Sequence, residues 1–136
     1  MIISKKLEWL RDYISEVAHL VPKVKYLKRI TGKEASETQI QRIHGIFTYA
    51  DRRHYRIMLY TTKQNLADGF IKPYSTIELL GTLAHELSHM LTLEHTPERM
   101  KLESAIMTQF MIKLAKDGYI SEEQEARDGP FYETYL

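Results

Sequence analysis

The stretch STIELLGTLAHELSHMLTLEHTPERM, residues 75–100, decides how the rest of the chain is read. Ser75 followed by Glu78 is the pattern of a capping box, in which hydroxyl and carboxylate take up free backbone N–H groups at a helix start. Leu79, Leu80, Leu83, Leu87, Met90 and Leu91 come next. At ~100° per residue they fall within an arc of about 120°, which is a core-facing stripe. His85 and His89 lie on the opposite side, one turn above the other. Thr96, Pro97 and Glu98 then read as cap, first-turn proline and early acid of a second helix. That helix is predicted to run to about Asp117, with Leu102, Ile106, Phe110 and Leu114 apolar and Gly118 as terminator.

Three of the six histidines, His85, His89 and His95, fall in this stretch. His85-Glu86-Leu87-Ser88-His89 is an HExxH pattern, and the chemistry requires that spacing. Two imidazoles at i and i+4 on a helix can share one Zn2+ with ring nitrogens at ~2.0–2.1 Å. The intervening Glu86 can take a proton from a water on the metal and pass it to a leaving amine, without being a ligand. His95 is the leading third ligand. A continuous helix would carry it ~240° from His89, so the helix must stop and the chain fold back. No glycine lies between them, so Thr92, Leu93 or Glu94 must make the turn. Glu103 and Glu94 remain alternatives for the third position. His44 and His54 read as surface or hairpin residues, with His44 also placed to line a cleft. Met100 and Met107 read as core at helical spacing.

Outward from this stretch, 136 residues suit one domain with a real core. The absence of cysteine excludes disulfides, thiolate zinc ligands and cysteine nucleophiles. The N-terminus mixes charges among its apolar residues, unlike a signal peptide, and no segment approaches the ~20 apolar residues of a membrane span. The expectation is a cytoplasmic monomer without membrane contact. Residues 1–72 carry fourteen Lys/Arg and seven Asp/Glu, whereas residues 73–136 carry five and eleven. The basic half reads first as a solvated face and second as a weak nucleic-acid contact through "KVKYLKR", Arg52, Arg53 and Arg56.

Leu7, Leu10, Ile14, Val17 and Leu20 predict an amphipathic N-terminal helix capped by Ser4 and ended by Pro22. Residues 36–44 suggest a short helix capped by Ser36. "GIFTYADRRHYRIMLYTT" predicts strands at 45–50 and 55–61 joined as a hairpin. "NLADGFIKPY" reads as loop and 121–127 as a short acidic helix. The aromatic tail 131–136 either covers a cleft or, more commonly for such a segment, docks on the body.

"HELSHMLTLEH" has the form HExxH-x5-H and resembles zincin metallopeptidases, within them the SprT-like, WLM and YgjP-like group. Metzincins share the spacing but carry a glycine where this chain has Thr92, and no methionine turn is evident. The hydroxyl residue after the third histidine, Thr96, and the hairpin ahead of the helix also fit the group. The resemblance covers roughly residues 45–115. It implies zinc held by His85, His89 and His95, Glu86 as general base, and a protein or peptide as substrate lying beside an edge strand. Strand 55–61 is the expected edge. A glutamate on the helix after HExxH, as Glu103 is, supplies the third ligand in zincins of the gluzincin kind.

The expectation is thus a single α+β zincin-like domain over residues 1–136. A small sheet with an antiparallel hairpin packs on the HExxH helix, and a long C-terminal helix backs it. Its function would be zinc-dependent peptide hydrolysis. The alternative is a zinc-stabilised, non-catalytic binding module for nucleic acid or a protein partner.

Overall fold

The computed structural model describes residues 1–36, 38–64 and 69–135. They form one α+β domain. Strand β1 (Ile2–Ile3) leads through a short 3-10 turn to helix α1 (Leu10–Val17). A 3-10 segment (Pro22–Tyr26) enters β2 (Leu27–Lys33), and β3 (Gly45–Asp51) and β4 (His54–Tyr60) follow as a hairpin. Short strands β5 (Thr62–Gln64) and β6 (Ile71–Pro73) pair with each other before α2 (Thr76–Ser88), α3 (Pro97–Lys116) and α4 (Glu122–Asp128). Among the described residues no helix is long and apolar enough to cross a membrane.

The main sheet has the order β1-β2-β4-β3, with β1, β2 and β4 parallel and β3 antiparallel to β4. The expected edge is therefore corrected. β4 is paired on both sides, and its buried Tyr55, Ile57 and Leu59 make it a central strand. The free edge beside α2 belongs to β3. Its hairpin turns at Asp51, whose carboxylate accepts the Arg53 N–H at 2.8 Å, an Asx turn.

α2 packs against β3 and β4 and against α3. Leu79, Leu80, Leu83 and Leu87 join Ile30, Ile57 and Leu59 of the sheet and Ile106, Phe110 and Leu114 of α3 in one buried cluster. Fully burying each such side chain contributes about 1.5–3 kcal/mol before entropy is counted. Leu91 does not belong to this face: α2 ends before it, and it is exposed. Met100 is likewise exposed, whereas Met107 packs on the core.

The predicted N-terminal helix is cut down to α1. Ser4 does not cap it. Its backbone N–H binds the Ile30 carbonyl and its hydroxyl accepts the Gly32 N–H, which ties the N-terminus to β2. The described residues of 36–44 are irregular rather than helical. Gln41 is drawn into a ladder with Gln64, each side-chain carbonyl accepting the other's backbone N–H. Within the segment read as loop, 71–73 form β6, and residues 65–68 lie outside the described residues. The tail docks away from the histidines: Tyr132 and Tyr135 stack on Trp9.

Candidate metal centre

Helix α2 is fixed at both ends before it presents any chemistry. Ser75 Oγ accepts the Glu78 N–H at 3.1 Å. The Glu78 carboxylate does not close the predicted capping box; it holds Lys63 Nζ at 3.1 and 3.2 Å. The buried carboxylate of Glu125 takes the Thr76 N–H and hydroxyl and the Phe131 N–H. A negative charge there also suits the positive end of the helix dipole.

With its leucine face buried, α2 turns His85 and His89 outward. Their ring centroids lie 4.9 Å apart with perpendicular planes. One nitrogen from each and a carboxylate oxygen of Glu86 all lie within 4.8 Å of one another. Phe47 of the edge strand stacks on His89, at a centroid distance of 6.0 Å, and fixes one side of that ring.

The chain does fold back after His89. The amides just past α2 close tight turns, Met90 N–H to the Leu87 carbonyl and Leu91 N–H to the Ser88 carbonyl. Thr92 Oγ1 then accepts the Glu94 N–H at 3.2 Å, so a hydroxyl turn replaces the missing glycine. Thr96 Oγ1 caps α3 by accepting the Arg99 N–H. This brings His95 back toward the pair, its ring centroid 6.0 Å from that of His85 and 6.5 Å from that of His89, but the cluster whose ligand atoms lie within 4.8 Å is His85, Glu86 and His89 without it.

Arg99 is the site residue that sequence reasoning missed. It is only 2% exposed. Its Nη2 donates to His95 Nδ1, and its Nη1 lies 3.1 and 3.2 Å from the two ring nitrogens of His89. That near-equidistance aligns Nη1 with neither His89 lone pair. Its Nε has no partner among the described residues. An arginine three residues after a helix cap carries no local signal of burial.

Glu103, weighed as a ligand, has Oε1 2.5 Å from His85 Nδ1. It thereby holds the imidazole with Nδ1 as donor and the Nε2 lone pair free, the usual arrangement behind a metal-bound histidine. Glu94 makes no side-chain contact with the group. Burial raises the Glu86 carboxyl above the usual glutamate range, against the opposing pull of His85 and Arg99. Burial and the Arg99 charge push His89 down, which keeps its imidazole neutral and a lone pair available. Two imidazoles one turn apart, a carboxylate bonded to one of them and a buried carboxylate between them fit a divalent metal ion.

A cavity of about 710 Å3 opens beside His85 and Glu86, walled by His44, Gly45, Tyr74, Glu78 and Thr82 among others. His44 thus lines the cleft, and His54 pairs with Asp51 at the hairpin tip. Gly45 permits the closeness of edge strand and helix: a Cβ there would meet Thr82 Cγ2 at 2.8 Å and the Met58 carbonyl at 2.9 Å.

No family model matches the sequence, and no curated protein is similar to it. The fold is similar to the crystal structure of a Wss1 mutant from Saccharomyces cerevisiae, with a TM-score of 0.50 and 16% sequence identity. The match covers 87% of this chain and 93% of that one, so the likeness extends over the whole domain, and at this identity it is a likeness of fold.

Proposed function

We propose that the chain is a zinc metallopeptidase of the zincin kind, its 136 residues forming one catalytic domain. His85 and His89 would hold the ion, with His95 as third ligand. One observation carries this: an HExxH helix whose two imidazoles and glutamate converge within 4.8 Å beside an open cavity and a free strand edge. Zinc supplies Lewis acidity toward a peptide carbonyl and lowers the pKa of a water.

The protein's own groups do the rest. Glu86 sits in a buried pocket that raises its proton affinity, which suits a base that must accept a proton and release it to the departing amine. Glu103 orients His85. Arg99 occupies Nδ1 of His95, so metal binding by that ring requires the guanidinium to yield Nδ1 or the ring to turn. The unpaired side of β3 offers main-chain donors and acceptors to an extended substrate.

The test is Glu86→Gln. Zinc content stays at the native level while peptide hydrolysis falls by about 10²–10⁴-fold, the usual worth of a general base. Cleavage that survives the change intact removes Glu86 from the mechanism. Full zinc content with no hydrolysis by the native protein leaves a binding module.

A further inference from the structure

We propose that His44 is a specificity-determining residue, donating a hydrogen bond from Nε2 to the carboxamide of a substrate glutamine or asparagine seated in the cavity beside His85 and Glu86. This rests on the peptidase reading for its substrate, but the donor itself follows from a hydrogen-bond count.

The count begins at Gln41. Its side-chain oxygen accepts the Gln64 N–H at 3.0 Å, and its Nε2 donates to the Ile43 carbonyl at 3.1 Å. A flipped amide would set donor against donor and acceptor against acceptor, so the orientation is fixed. Gln41 Nε2 therefore also donates to the Tyr74 hydroxyl, at 2.9 Å. Tyr74 is 5% exposed and has one proton to give. The remaining partner among the described residues is His44 Nδ1, 2.5 Å away. Tyr74 thus donates to Nδ1, and the neutral ring carries its hydrogen on Nε2. Protonation of the ring would leave that hydrogen in place. The ring itself is exposed and lines the cavity, so a part-buried relay holds an outward-facing donor.

The opposite chemistry is also present. The Glu78 carboxylate lines the same cavity, held and neutralised by Lys63. A carboxamide offers an oxygen to His44 and N–H groups to Glu78. A carboxylate side chain would face Glu78, Glu86 and Glu103. An ammonium would find those three carboxylates, Glu78 already paired with Lys63 and Glu103 with His85, but would leave the His44 donor unmatched, and leucine would satisfy neither wall. A substrate extended along β3 advances ~3.3 Å per residue with side chains alternating between faces. The cavity lies at the Gly45 end of β3, where the strand has no side chain to fill it, and it follows the helix turn before His85.

Two measurements test this. First, two-bond 1H–15N correlation on His44 shows the hydrogen on Nε2 in the native protein and a tautomer mixture in Tyr74→Phe. Second, the zinc-loaded full chain carrying Glu86→Gln is titrated with acetylated pentapeptides differing only in a central glutamine, glutamate, lysine or leucine. The glutamine peptide binds about tenfold more tightly than the leucine one, the worth of one or two hydrogen bonds. His44→Ala abolishes that preference with zinc content unchanged. A hydrogen on Nδ1, equal affinities, or a preference that survives His44→Ala overturns the proposal. A His44-dependent preference in a native protein that cleaves none of these peptides overturns the peptidase reading and leaves this site standing.

Discussion

At the scale of single residues, the site is a balance between burial and charge. Glu86 is 5% exposed and has its proton affinity raised chiefly by desolvation. The folded-state pKa therefore lies above the unfolded one. The folded protein loses nothing below the unfolded value, near 4.3, and loses stability as pH rises through the folded value. Metal-free Glu86→Gln is accordingly expected to melt higher than the metal-free native chain at pH 7 and alike at pH 4, by calorimetry. Glu103→Ala releases His85 Nδ1 and is expected to weaken zinc binding about 10–100-fold in competition with a chelating dye, with Glu103→Gln intermediate. These roles were unequally legible. The HExxH pair announces itself by spacing along one helix. Glu103 and Arg99 act through space from another helix, and nothing in their neighbours tells a reader that one supports an imidazole and the other lies buried against two.

Among elements, local rules served α2, α3 and α4 well and failed at Ser4 and Ser36. Ser75, Thr96 and Ser121 each cap a helix by accepting the N–H three residues on, and Gly118 ends α3 with φ of 101°. Strand order was not local. The expected substrate edge is 55–61, the hairpin's second strand, yet its apolar residues are why β4 lies inside the sheet, leaving the more exposed β3 at the rim. β2 escaped notice because its pattern is basic and only Leu27 and Ile30 are buried. The contact of β3 with α2 hinges on Gly45. Gly45→Val is expected to destabilise the fold by about 1–3 kcal/mol in denaturant titration, because the added atoms meet Thr82 and the β4 backbone. Peptide affinity should fall with it, since the strand must shift to make room.

Across the whole molecule, the C-terminal segment steadies α2 from behind. Glu125 joins the first turn of α2 to the start of the tail, and Trp9 stacks on Tyr132 from the N-terminal side. Glu125→Ala strands the buried Thr76 N–H and hydroxyl and should cost about 3 kcal/mol, measured by thermal or urea unfolding. This link spans 49 residues of sequence, which is why the tail's partner was not legible while its aromatic, docking character was. The proposed function stands on a metal between His85 and His89. The direct measurement is elemental analysis of the purified full chain after zinc loading and exhaustive dialysis. One zinc per chain is expected, falling to background in the double variant His85→Ala with His89→Ala. No retained zinc in the native protein, or the same zinc in the double variant, contradicts it.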